Sequence, residues 1–181
     1  MKKIIIYFLI LIVLLGVSFF VFKKEVFSPE IFNTENLAKS PKDATYNIDG
    51  NIVTLKNGVS SLSVDDSSAE IVTTYFGNEL YSDLNNDGRD DVVFLIMQET
   101  GGTGVFCYVV SAINTKNGYR GGEAFYVGDR IAPQNINNID NKIVVNYADR
   151  AEGESFAEEP TVGKSLYLKF NSRDLKFEEV R

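Results

Sequence analysis

The sequence predicts an all-β domain, an antiparallel sandwich or a strongly curled, nearly closed sheet, preceded by one N-terminal transmembrane helix. Three observations carry this expectation. Turn signals such as Asn57-Gly58 and Asn117-Gly118 recur between short segments rich in Val, Ile, Tyr and Phe, as in hairpins. Two segments, 92–97 and 105–113, are apolar at successive positions rather than alternating, so both of their faces need cover. Residues 4–22 form an apolar run whose only weak points are Gly16 and Ser18.

That run comes first in the chain. As a helix it would span about 28 Å, close to the hydrocarbon thickness of a bilayer. It has no polar face to show to water. Lys2 and Lys3 precede it and Lys23-Lys24-Glu25 ends it. The Phe22-Lys23-Lys24 flank lacks the small residues of a signal cleavage site, and no cysteine follows closely enough for lipid attachment. Residues 1–24 therefore read as an uncleaved signal-anchor. Basic residues on both flanks nearly balance. The short amino tail and the acidic bulk of the chain place the domain outside, on a single-pass protein of the cytoplasmic membrane.

Residues 25–43 read as a linker. Ser28-Pro29-Glu30 has the form of a helix start, and Ser40-Pro41 would stop that helix. The β domain occupies 44–181. Its expected strands are 45–48, 52–55, 71–76, 79–83, 91–98, 104–114, 124–128, 135–139, 142–149, 165–170 and 176–180. Residues 60–69 are too polar to assign. The glycine-rich link 99–104 joins the two doubly apolar strands, as the mobile end of a hairpin or as a place where a ligand approaches the backbone.

Composition excludes several chemistries. The chain has no histidine, which removes the usual general base, the Ser-His-Asp triad and most zinc sites. Cys107 is the only cysteine, so no intrachain disulfide forms, and its apolar neighbours make it a buried, inert thiol. The formal charge is −7, and four of the 18 basic residues precede residue 25 while none of the 25 acidic ones does. The domain is thus more acidic than the whole chain and repels phosphate backbones, so nucleic acid is not an expected partner.

One stretch carries chemistry in its spacing. In Asp-Leu-Asn-Asn-Asp-Gly-Arg-Asp-Asp (83–91), oxygen side chains fall at Asp83, Asn85 and Asp87, Gly88 follows, and Asp91 closes the run. A hard divalent cation takes several oxygens at once, and a tightly curled backbone delivers them at alternate positions. The expected ligands are the side chains of Asp83, Asn85, Asp87 and Asp91 and the main-chain carbonyl of Arg89, with calcium as the ion. The bland alternative is an Asx-rich turn that caps a strand. Phe94 stands where an EF-hand would supply its bidentate glutamate, which implies weaker binding, with Kd of about 10⁻⁴ to 10⁻³ M.

Two Asp-Arg pairs, Asp129-Arg130 and Asp149-Arg150, end strands. They read as structural ion pairs in preference to an anion clamp. The acidic run Glu152, Glu154, Glu158 and Glu159 reads as a solvated loop.

The segments 75–91, 101–106 (Gly-Gly-Thr-Gly-Val-Phe), 127–134 (Val-Gly-Asp-Arg-Ile-Ala-Pro-Gln) and 146–150 (Asn-Tyr-Ala-Asp-Arg) together resemble an uncharacterised bacterial envelope domain. In some proteins that domain precedes a META domain, the type found in a heat-shock-induced envelope protein. The resemblance covers about Tyr46 to Leu168 and implies an envelope location without an activity. The loop 83–91 by itself resembles the calcium loops of FG-GAP and VCBS repeat proteins, which implies the same five ligands. Those proteins repeat the motif around a propeller; here it occurs once.

Three functions compete. The first is a membrane-anchored, calcium-stabilised binding or structural module, not an enzyme, with an envelope protein or glycan as partner. The second is an inhibitor of an envelope-degrading enzyme such as a lysozyme. The third is a glycan hydrolase working with carboxylates alone, for which Asp90, Glu99 and Glu123 are candidates, although nothing in their spacing selects a pair.

Overall fold

The computed structural model describes residues 37–64 and 69–180. The helix expected over 4–22 lies outside them, as does most of the expected linker. The described end of that linker runs against the β domain. Ala38 bridges Tyr119, and the Tyr46 hydroxyl donates to the Pro41 carbonyl (2.6 Å). A 3-10 turn at Pro41–Asp43 is capped by the Ser40 side chain, which accepts from the Lys42 amide.

Twelve strands follow among the described residues: β1 (Thr45–Ile48), β2 (Asn51–Thr54), β3 (Val59–Ser63), β4 (Glu70–Ser82), β5 (Asp91–Glu99), β6 (Val105–Thr115), β7 (Gly118–Gly121), β8 (Phe125–Asp129), β9 (Ala132–Ile139), β10 (Lys142–Asp149), β11 (Val162–Asn171) and β12 (Lys176–Glu179). The main sheet runs β3-β4-β5-β6-β7, and β8 also pairs with β6. β7 takes the 112–115 end of β6 and β8 takes its 106–109 end. A second sheet runs β12-β11-β10-β9, and β1 and β2 form a separate hairpin. The strand pairings are antiparallel, as expected.

The doubly apolar strands β5 and β6 pair as a hairpin in the middle of the main sheet. Successive side chains of a strand point to opposite faces, so each strand feeds two cores. On one face Val92, Phe94, Ile96, Tyr108, Val110 and Ala112 pack with Tyr46, Ile48, Val53 and Leu55 of the β1–β2 hairpin and the residue after it. On the other, Val93, Leu95, Cys107 and Val109 pack with Ile143, Val145, Leu168 and Phe177 of the second sheet. Cys107 thus lies on the opposite face from Phe106 and Tyr108. Each fully buried side chain of this size contributes about 1.5 to 3 kcal/mol over an exposed one, so a sheet with one wet face would forfeit most of that stabilisation. Phe94, Ile96 and Tyr108 are buried; Phe106, near the hairpin end, is only partly covered.

The structure corrects several boundaries. The segments 71–76 and 79–83 are one strand, β4. Gly77 (φ 112°) and Asn78 (φ 53°), which read as a turn, form an irregularity where the register with β5 shifts. Such a bulge uses the same positive-φ residues as a hairpin turn. β3 and β7 were not expected, and β9 and β11 begin three residues earlier than the sequence suggests.

Candidate metal centre

The loop 83–90 connects β4 to β5, so it opens directly onto a central strand. Asn86 (φ 60°) and Gly88 (φ 82°) both take left-handed backbone conformations, which curls the chain. The curl is held by local bonds. The two Asp83 carboxylate oxygens accept from the amides of Asp87 (3.1 Å) and Gly88 (2.9 Å). Asn85 Oδ1 also accepts from the Asp87 amide (2.9 Å). Asp87 Oδ1 accepts from the Arg89 amide (3.0 Å), and Asp87 Oδ2 accepts from Asn85 Nδ2 (3.1 Å) and pairs with the Arg89 guanidinium. Arg89 Nε in turn donates to the Asn114 carbonyl on β6 (2.7 Å).

Asp91 differs from the rest. It is wholly buried, and its two oxygens accept from the amides of Leu84 (3.0 Å) and Asn114 (2.8 Å). One carboxylate therefore ties the loop to the start of β5 and to the end of β6. Asn114 Nδ2 completes the junction by donating to the Asp90 carbonyl (3.2 Å).

The electrostatics divide the same way. The Gly88 amide, with the neighbouring loop amides, holds the Asp83 carboxyl below its ordinary value. Burial raises that of Asp91, and the charges of Asp87 and Asp83 push it further up against its two amide donors. Asp91 thus feels the charge of both loop carboxylates.

The five expected ligand residues fall as follows. Asp83, Asn85 and Asp87 share one hydrogen-bonded curl, and Asp91 forms its buried foot. Arg89, expected only through its carbonyl, uses its side chain as the cationic partner of Asp87. Among the described residues no group of three or more His, Cys, Asp or Glu side chains is placed to hold a metal ion. The oxygens are hard donors of the kind calcium takes, and the repulsion felt at Asp91 is the kind a cation relieves. Binding would require the Arg89 guanidinium to give up Asp87. The sequence reading missed Asn114 and the Leu84 amide. Asn114 lies 23 residues from Asp91, and no local spacing signals that contact.

Other candidates resolve more simply. The Cys107 thiol is buried and pushed up to about 12, so it carries no thiolate at neutral pH. Arg130 pairs with Asp129 (2.6 Å) and lies 3.7 Å over the Phe156 ring. Asp149 pairs with Lys164 (2.7 Å) rather than with Arg150. Arg150 spends its guanidinium on the carbonyls of Arg130 (2.7 Å), Glu158 (2.6 Å) and Phe156 (3.4 Å), fastening the acidic loop to the strand ends. The arginines are occupied in structure. Asp90 and Glu99 flank opposite ends of β5, about 30 Å apart along an extended strand, against the roughly 5 to 10 Å that separates a glycosidase pair.

Compared with protein-family models, with curated proteins and with solved structures, the chain finds no match in any of the three.

Proposed function

We propose that this chain is a membrane-anchored, extracytoplasmic β module with a binding or structural role, not an enzyme, stabilised by one calcium ion in the loop 83–91. The observation that carries the calcium reading is the position of Asp91. It is a buried carboxylate at the junction of the loop with both central strands, with Asp83 and Asp87 close enough to repel it. Asp83, Asn85, Asp87 and Asp91 would hold the ion through side-chain oxygens, and the Arg89 carbonyl would complete the set. The bound charge would offset the repulsion among the carboxylates and lock the curl onto β5 and β6. The apolar run 4–22 supports the anchor, and the resemblance to an envelope domain supports the location. The lack of histidine and the burial of Cys107 support a non-catalytic role.

Thermal unfolding of the full chain in detergent, with millimolar calcium or with chelator, tests the metal. Calcium at about 10 mM, roughly 10 to 100 times the expected Kd, should add about 1.4 to 2.7 kcal/mol of stability. An unfolding midpoint indifferent to calcium would defeat this part of the reading. Alkaline carbonate extraction tests the anchor: the full-length chain should stay with the membrane, and its release would defeat that part.

A further inference from the structure

We propose that the free edge of β3 is a self-pairing surface, at which a second copy of this chain adds its own β3 in antiparallel register centred on Leu62. Among the described residues β3 pairs with β4 alone and forms one margin of the main sheet. Its bonding parity is fixed by two contacts at its ends: the Tyr75 amide donates to the Gly58 carbonyl (2.7 Å) and the Val64 amide to the Ala69 carbonyl (3.1 Å). Even-numbered residues therefore turn their main chain toward β4, and odd-numbered residues turn theirs away. Val59 confirms the parity, because its outward amide and carbonyl are taken up by Lys56. Ser61 and Ser63 are left with their main-chain groups facing off the sheet, and both residues are exposed.

Sheet margins are ordinarily blunted by lysine, proline or a bulge, since a bare edge recruits another strand. Residues 59–64 (Val-Ser-Ser-Leu-Ser-Val) hold no charge and no proline, and the β3–β4 register runs without a shift. Val59, Leu62 and Val64 are 45%, 46% and 37% exposed. The composition of the edge favours a second copy. A two-fold axis at Leu62 sets Ser61 of each copy opposite Ser63 of the other, and these exchange four main-chain hydrogen bonds. Leu62 then faces Leu62, and Ser60 faces Val64. No charged residue of β3 itself enters the seam; the Glu70 carboxylate that accepts from each Ser61 hydroxyl lies beside it and weakens the pairing. The contact is small, so the dimer should be weak and concentration-dependent.

The two-fold makes Leu62 a non-hydrogen-bonded pair with Cα atoms about 4.5 Å apart, within the span of a disulfide. The full chain carrying Leu62→Cys, in detergent and in membranes under mild oxidation, should cross-link to a dimer at least tenfold faster than a Phe76→Cys control. Phe76 is 47% exposed but lies on β4, away from the edge. The native Cys107 is buried and should not react. Adding Ser61→Pro removes an amide that β4 does not use and should slow the cross-link about tenfold or more, from the two interchain bonds lost. Leu62→Lys, at an exposed position, should lower the dimer fraction in sedimentation without changing the unfolding midpoint. Equal rates for Leu62→Cys and Phe76→Cys, or an association untouched by both Ser61→Pro and Leu62→Lys, would overturn the proposal. So would Leu62→Cys trapping only a different protein in membranes, which would assign the edge to a foreign strand.

Discussion

The loop before β5 has two parts built on different physics. The curl, Asp83 to Gly88, is exposed or half-exposed, and its bonds reach two to five residues along the chain. The foot, Asp91, is buried and reaches 23 residues away to the β6 amide of Asn114. Water can replace the curl's partners if a side chain is lost. No water replaces those of the foot without opening the sheet. On the proposed reading, the curl could take up an ion at little cost to the fold, and the foot would couple that ion to the sheet. The two carboxyls also titrate in opposite senses: amides lower Asp83, and burial raises Asp91.

The sharpest way to break this contrast is Asp91→Ala. It leaves the Leu84 and Asn114 amides without acceptors and should cost about 2 to 4 kcal/mol in denaturant unfolding, in chelator as well as in calcium. A cost equal to that of Asp83→Ala would erase the distinction between foot and curl.

The pH dependence comes next. The folded state holds its Asp91 proton more firmly than the unfolded chain does, so stability from this group is greatest below the ordinary value of 3.8. It is lost as pH rises through the higher folded value. Asp83 runs the other way: its contribution is present above 3.8 and lost as pH falls through the lower folded value. Denaturant titrations in chelator from acid to neutral pH should show a fall in stability with rising pH that is absent in Asp91→Asn. The same slope in parent and variant would contradict the burial argument.

Asp83→Ala should give a smaller loss than Asp91→Ala in chelator, because water takes its place as acceptor for the Asp87 and Gly88 amides, and it should remove most of the response to calcium. The smallest effect belongs to Arg89. Its guanidinium competes with a cation for Asp87, so Arg89→Gln should tighten calcium binding by about three- to tenfold, read by calorimetry. Weaker binding in that variant would mean that the arginine supports the site instead of opposing the ion.

Much of this was legible in the sequence, for identifiable reasons. β5 and β6 announced themselves because a strand covered on both faces needs apolar residues at every position. β3 stayed hidden because an edge strand with serines in water carries no such signature. β4 was divided in two because Gly77-Asn78 has the residues of a turn, and only its pairing with β5 reveals a bulge. The curl was legible because its chemistry is local and its spacing is the signal. The foot was half legible. Asp91 fell in the pattern, but its burial and its Asn114 partner depend on how β5 and β6 align. Arg89 was read for its carbonyl, since sequence spacing says nothing about where a long side chain turns back.

The most direct test of the account compares the full chain with its Asp87→Ala variant in detergent, each melted in millimolar calcium and in chelator. Asp87 lies in the curl and touches neither core, so the two midpoints should be nearly equal in chelator. In calcium the parent alone should rise, by about 3 to 10 °C for a domain of this size. Equal destabilisation of the variant in both conditions would contradict it, because the loop would then act through its own hydrogen bonds and not through a bound ion.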